Sequence, residues 1–402
     1  MTTVNKSKTQ FEWTKFLKGK VEILQPSKGA RFSIDSAILA GLTFVREGES
    51  VIDLGCGSGV IMVLMSHFFH PQKLVGIDIN EEFCHCAKES LLRSGFKDYE
   101  IINGDFRKNP EEKYDVVVSN PPFFETSKGK KSPDLLRDIY RHRENMDLAT
   151  FFESAKNYLK EEGRLSFILP FSMKKEIFES LSKCSLFPYL TRSIRHKKDG
   201  EFILFLCLCS KKERRLIELP PLTIKNDEET YTEELKEILG EIPVRKEPSF
   251  FCDSMLYRLA KYLRFSGIDA AYLKGADDNW LLGECERSGR ILLSLDRELI
   301  NRFKRKGIRC FEPSSFNPKE QFREILNHFS IKENNPRRCL KCNAKVMKVD
   351  KEKIEGLVPE FTFKNQKDFY VCPSCSKITW GGTHLERFKN DVLSFLVQGE
   401  ER

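Results

Sequence analysis

The chain has 402 residues, 40% of them hydrophobic and 31% charged, enough apolar material for two or three packed domains and too much for a disordered chain. No apolar run approaches the roughly 18 residues of a membrane span, and the start around Lys6, Lys8 and Glu12 has no secretory-signal pattern. A soluble cytoplasmic protein with no membrane partner is therefore expected. The formal charge of +8 is uneven: residues 1–250 hold 39 Lys and Arg against 38 Asp and Glu, and residues 251–402 hold 28 against 21. A basic second half suits an anionic polymer such as RNA, with an ordinary solvated surface as the alternative.

From residue 49 to about 210, strand and helix patterns alternate. Strands are expected at 50–54, 73–77, 100–102, 115–119, 164–169 and 201–209, the signature of a parallel, doubly wound sheet. A proline-bearing segment with an acidic helical stretch at 228–239 follows and reads as a boundary. A second alternation comes next, with strands at 249–252, 270–273, 290–295 and 308–311 and helices at 255–265, 279–288 and 298–306. A cysteine-bearing tail closes the chain.

The first strand runs into Gly55-Cys-Gly-Ser-Gly59, a turn in which Gly55, Gly57 and Gly59 allow close backbone approach to a ligand beside helix-opening N–H groups. Alone this is a common strand–helix turn. Asp78 at the end of the next strand suits ribose hydroxyls, and Asp105 at the end of the third is placed for an adenine ring. Asn120-Pro-Pro-Phe123 ends the fourth. The Asn120 side-chain oxygen and the Pro121 carbonyl can accept both N–H bonds of an amino group conjugated to a ring, and Phe123 offers a stacking face. Positioning the nitrogen lone pair in line with a methyl donor needs no general base.

Those residues resemble the S-adenosylmethionine-dependent N-methyltransferases of the adenine-N6 and glutamine-N5 class. Gln25-Pro-Ser-Lys-Gly-Ala-Arg-Phe-Ser-Ile-Asp35 resembles the cofactor-lid motif of the tRNA adenine-N6 methyltransferases that modify valine tRNA. The resemblance spans about residues 20–215 and implies a Rossmann-like class I methyltransferase fold. It also implies an S-adenosylmethionine site formed by Arg31, Ser33, Asp35, Asp53, Gly55, Gly57, Gly59, Asp78, Asp105 and Asn120, with Asn120, Pro121 and Phe123 at the reacting amine. Arg141 and His142 would face the substrate; this chain has Arg143 where those enzymes usually carry Glu.

In the second alternation Asp253, Asp277, Asp278 and Asp296 fall where strands end or helices begin. Carboxylates gathered at one sheet edge call for a hard cation, Mg²⁺ or Mn²⁺, which could activate water for phosphodiester cleavage; helix capping is the alternative for each. The helix from Met255 shows an apolar face of Met255, Leu256, Leu259 and Leu263, leaving Arg258, Lys261 and Arg264 for a phosphate backbone. Phe251-Cys-Asp-Ser-Met-Leu-Tyr-Arg-Leu-Ala-Lys-Tyr-Leu-Arg264, with Ala276-Asp-Asp278 and Ile291–Leu299, resembles the PIN-like RNase family named for the carboxyl-terminal region of the nematode Mut-seven protein. That resemblance, from about 249 to 388, implies metal-dependent RNA cleavage through the aspartates.

Cys339-x2-Cys342 and Cys372-x2-Cys375 have zinc-knuckle spacing and predict a closed structural Zn²⁺ site, with a hairpin filling the 29 residues between the pairs. Arg337, Arg338, Lys341, Lys345, Phe369, Tyr370 and Trp380 are candidates for RNA contact. The expected organisation is α/β throughout: a methyltransferase domain (1–218), a linker (219–248), a small PIN-like α/β domain (249–332) and a zinc ribbon with tail (333–402). The expected function is a fusion of an RNA adenine-N6 methyltransferase, acting on tRNA, with a metal-dependent ribonuclease. The alternatives are a protein glutamine-N5 methyltransferase, or a methyltransferase whose second half only binds RNA.

Overall fold

The computed structural model describes residues 10–27, 32–121, 147–240, 248–331 and 338–380; Arg31, Phe123, Arg141, His142, Arg143 and Arg337 lie outside them. The chain divides into two compact units, one holding most of the first 242 residues and the other residues 243–402 with two short upstream pieces.

The first unit begins with a hairpin, β1 (Phe11–Phe16) and β2 (Val21–Pro26), paired antiparallel from Phe11 opposite Pro26 to Phe16 opposite Val21. After α1 (Ile34–Leu42) comes the alternation β3 (Ser50–Leu54), α2 (Val60–Phe68), β4 (Lys73–Asp78), α3 (Glu81–Ser94), β5 (Tyr99–Asn103) and β6 (Tyr114–Ser119). It continues as α4 (Leu148–Asn157), β7 (Leu159–Pro170), α5 (Lys174–Lys183), β8 (Phe187–Arg195), β9 (Phe202–Ser210), β10 (Ile217–Thr223) and α6 (Glu233–Ile238). Eight strands form one sheet in the order β10-β8-β9-β7-β6-β3-β4-β5. β3 to β7 run parallel, and β9 runs antiparallel between β7 and β8. Val116, Val117 and Val118 are all fully buried, as a strand covered by helices on both faces requires. Every expected strand of this unit forms.

Two features differ from expectation. β8 was not anticipated, because Phe187-Pro-Tyr-Leu-Thr-Arg-Ser-Ile-Arg195 carries a proline and two arginines. Arg192 is nonetheless only 2% exposed, and its guanidinium bonds the Glu234 carboxylate of α6. The stretch expected as a linker is structured: β10 neighbours β8, and α6 is capped by Thr232, whose hydroxyl accepts from Leu235 N.

The second unit has β11 (Phe250–Cys252), α7 (Tyr257–Phe265), β12 (Ala270–Ala271), α8 (Asp278–Ser288), β13 (Ile291–Leu293), α9 (Arg297–Arg305), β14 (Cys310–Phe311) and α10 (Pro318–His328). The four strands form a parallel sheet ordered β12-β11-β13-β14, with one apolar cluster around Leu259, Leu263 and Phe322 and another around Leu282, Ile300 and Phe303. The strand order reverses between β11 and β13, which places a crevice at their carboxyl ends. The tail adds an antiparallel sheet of β15 (Met347–Val349), β16 (Phe369–Val371) and β17 (Ile378–Trp380), with α11 (Glu360–Asn365) between its first two strands. The hairpin expected between the cysteine pairs thus contains a helix. Among the described residues no helix is long and apolar enough to cross a membrane.

Candidate active sites and metal centre

In the first unit the glycine turn hangs from the end of β4: Gly55 N and Cys56 N both donate to Ile77 O, at 2.8 and 3.1 Å. Gly55, Gly57 and Gly59 all have positive φ, between 53° and 76°. At Gly57 nothing lies within 4 Å of where a Cβ would stand, so the left-handed backbone, not crowding, demands glycine, and the space stays open for a ligand. At Gly59 a Cβ would meet the Ala87 Cβ at 2.9 Å, so this residue also sets how closely α2 approaches α3.

Asp78 accepts from Gly57 N and Asn80 N, both at 2.9 Å, one on each carboxylate oxygen. A carboxylate at the end of β4 beside the glycine turn suits ribose hydroxyls. Asp105 is gripped by Arg107 at both oxygens, with Nη2 at 2.5 Å, and this pairing holds its carboxyl below the usual range. An adenine ring would have to meet Asp105 alongside that guanidinium. Ser33 precedes α1 and is exposed; Asp35 sits half-buried in its first turn, its carboxyl raised chiefly by burial and partly relieved by Ser33.

Asp53 carries a stronger signal. It is fully buried on β3, and neither of its side-chain oxygens has a hydrogen-bond partner. Burial, reinforced by Asp78, pushes its carboxyl well above the ordinary value. An orphaned carboxylate beside an open glycine cradle fits a cationic, nucleoside-bearing ligand, and S-adenosylmethionine carries both an ammonium and a sulfonium. A carboxyl raised in the folded state gives stability below its unfolded pKa that is lost as pH rises toward its folded value. Asp53→Asn should therefore gain melting temperature over the wild type as pH goes from about 4 to 7 without ligand. Its stabilisation by added S-adenosylmethionine should be the smaller of the two, both read by thermal melts.

Asn120 follows β6, whose last residue, Ser119, donates its hydroxyl to Leu54 O at 2.6 Å. The Asn120 Nδ2 donates to Ser36 Oγ on α1 at 3.0 Å. Sequence reasoning missed Ser36. Its signal was the small polar side chain one residue beyond the quoted lid motif, in an otherwise apolar helix.

In the second unit the structure brings together only part of the acidic set. Asp253 is buried at the end of β11; one oxygen accepts from Ser294 Oγ at 2.8 Å and the other from the Ser254 backbone and hydroxyl. Asp277 caps α8 and Asp296 caps α9, each accepting from two backbone N–H groups, and both are exposed, as is Asp278. Asp253 and Asp296 flank the β11–β13 crevice. The four aspartates do not converge to ligand distance, because among the described residues the one group of three or more metal-ligating side chains is the cysteine quartet.

That quartet brings all four sulfurs within 4.8 Å of one another, with Cys339–Cys375 at 3.6 Å and Cys342–Cys372 at 3.3 Å. Tetrahedral Zn–S bonds of about 2.3 Å imply S···S spacings near about 3.8 Å. Thiols around Cys339 hold it far below its ordinary value, while Cys372 is pushed up by the same neighbours. Four cysteine sulfurs, three of them on buried residues, converge on one point, and this donor set fits Zn²⁺.

Two of the basic residues expected to face RNA, Arg264 and Arg338, are corrected here, whereas Arg258, Lys341 and Lys345 are exposed. Arg264 is 2% exposed: its Nε donates to Ala270 O at 2.7 Å and its Nη1 to Leu340 O and Lys341 O at 3.0 and 3.2 Å. Arg338 bonds Gly267 O, Asn343 O and Asp269. Burial would raise Asp269, but Arg290 and Arg338 outweigh it and hold the carboxyl well below the usual range. Phe369 is fully buried, and Met255, assigned to the apolar face, is 65% exposed in the turn before α7.

The first unit is thus a doubly wound sheet with a cradle for a cationic nucleoside cofactor and an amide at the adjoining strand end. The second is a parallel α/β unit bearing a cysteine quartet whose geometry fits a metal ion. Residues 30–185 match the family model described as methyltransferase small domain, and residues 248–392 match the one described as Mut7-C RNAse domain. A tRNA1(Val) (adenine(37)-N6)-methyltransferase of Flavobacterium johnsoniae is 28% identical over 196 residues, 48% of this chain and 83% of that protein. The protein of the same description from Christiangramia forsetii is 28% identical over 233 residues, 54% of this chain and 96% of that protein. Among solved structures, a predicted O-methyltransferase of Agrobacterium tumefaciens superposes with a TM-score of 0.42 and 17% identity, over 52% of this chain and 96% of its own. The chain therefore joins a domain similar to tRNA adenine-N6 methyltransferases to one similar to the Mut7-C RNase domain.

Proposed function

We propose that the first unit methylates an exocyclic adenine nitrogen in tRNA and that the second cleaves RNA with the help of a bound divalent metal. Asn120 at the carboxyl end of β6 carries the first reading. With Nδ2 committed to Ser36, its Oδ1 remains to accept from an incoming amino group beside the Pro121 carbonyl. The glycine turn, Asp53 and Asp78 would hold S-adenosylmethionine, which would supply the methyl group. The chain's own task is to fix the amine nitrogen in line and to draw its N–H bonds into two acceptors. Purified protein given labelled S-adenosylmethionine and bulk tRNA should yield N6-methyladenosine; label found only in protein would move the first unit to the glutamine-N5 class.

The nuclease reading rests on Asp253 and Asp296 at the strand-order reversal of a parallel sheet. There Mg²⁺ or Mn²⁺ would recruit carboxylates otherwise engaged with Ser294, Ser254 and the start of α9. The capping bonds of Asp277 and Asp296 favour a second reading, a unit that binds RNA without cutting it. Cleavage at the wild-type rate by the Asp253→Asn, Asp296→Asn double variant would exclude the nuclease assignment. Metal-dependent cleavage lost in that variant excludes the binding-only one.

A further inference from the structure

We propose that Ser36 is the positioning residue that sets the polarity of the Asn120 amide at the methyl-acceptor site; the inference rests on the methyltransferase reading above and gives Ser36 its role there. An asparagine amide has two ends of nearly equal shape and opposite hydrogen-bonding character. With Oδ1 toward an amino group it accepts an N–H. With Nδ2 toward it, donor meets donor and the amine is repelled. Something must choose between the two.

The structure supplies two anchors. The backbone is fixed one residue earlier, where the Ser119 hydroxyl donates to Leu54 O at 2.6 Å, pinning the end of β6 to the end of β3 where the glycine turn begins. The side chain is fixed by Ser36 Oγ, 3.0 Å from Nδ2 and 84 residues away in sequence. Ser36 is 6% exposed on α1, so water competes little for this bond. In this bond the Ser36 oxygen is the acceptor and the Asn120 Nδ2 the donor. Such a hydroxyl takes Nδ2 and turns Oδ1 away from α1. Alanine at position 36 removes the acceptor and lets both amide orientations populate.

The test uses the full chain with Ser36→Ala, Ser36→Thr and Asn120→Ala, measuring methyl transfer to tRNA at saturating S-adenosylmethionine and cofactor affinity by calorimetry. Ser36→Ala should lower kcat about tenfold or more with cofactor affinity within about twofold of wild type. Ser36→Thr, which keeps the hydroxyl, should restore most of the rate. In the Asn120→Ala background Ser36→Ala should cost nothing further, because the two residues act as one. Wild-type kcat in Ser36→Ala overturns the inference alone, as does a loss matched by equal losses of cofactor affinity and melting temperature that threonine fails to rescue. Full activity in Asn120→Ala would instead overturn the methyltransferase assignment of this site, and the inference with it.

Discussion

Replacing Asn120 by alanine should lower methyl transfer by about two to three orders of magnitude while leaving S-adenosylmethionine affinity within about twofold. An exocyclic amine conjugated to a purine is a poor nucleophile because its lone pair is delocalised into the ring. Two acceptors placed on its N–H bonds favour the pyramidal state in which that pair is available, and removing one leaves both the polarisation and the alignment incomplete. Most of the cradle lies elsewhere, on the glycine turn after β3 and on Asp78 at the end of β4, so binding should survive. Asn120→Asp separates acceptor chemistry from shape: a carboxylate still accepts, with Ser36 now donating, so it should retain more activity than alanine. Single-turnover transfer of labelled methyl groups measures the effect. A rate in Asn120→Ala within about fivefold of wild type would show that this amide does no chemistry.

What could be read from the sequence follows from where the chemistry is local. The strands β3 to β6 were legible because each is a short apolar run followed closely by a turn or polar residue: Gly55, Asp78, Asp105, Asn120. The cysteine quartet was legible because knuckle spacing is a local constraint. Buried arginines were not legible. Arg192 hid β8, and Arg264 and Arg338 read as a phosphate-binding surface, because a guanidinium looks like surface until its acceptors are known. Those acceptors are Glu234 and the backbone carbonyls of Leu340, Lys341 and Gly267, most of them dozens of residues away. α10 was missed although it carries two signals, a cap, Asn317 accepting from Lys319 N with Pro318 following, and an apolar period of Phe322, Ile325, Leu326 and Phe329. Ser36 was invisible because a single hydroxyl on an apolar helix means nothing without its partner.

The same buried guanidinium gives the second large effect. Removal of zinc, or of Cys372 and Cys375, should unfold more than the ribbon, because Arg264 and Asn343 tie the first knuckle to the sheet of the second unit. Arg264 reaches from the end of α7 to the carbonyls of Leu340 and Lys341 on one side and of Ala270 on the other. Asn343, in the left-handed region at φ 66°, accepts from Ala270 N at 3.2 Å, donates to Asp269 at 2.8 Å and closes the knuckle by its own N–H to Cys339 O at 2.8 Å. A structural zinc contributes about 10–16 kcal/mol, comparable to the whole stability of a domain, and this lattice transmits it to β12. Arg264→Ala should therefore cost about 3–5 kcal/mol, the penalty for stripping a buried charge from several acceptors, even with all four cysteines present. Arg264→Lys should not rescue it, since one ammonium cannot span carbonyls on two elements as a planar fork does. Metal analysis should return one zinc per chain in the wild type and none in the Cys372→Ser, Cys375→Ser variant. Protease should then digest residues 248–380 first in both the metal-free protein and Arg264→Ala. If the zinc-free chain keeps wild-type protection around β11 and β13, the metal serves the ribbon alone and the Arg264 bonds are packing without coupling.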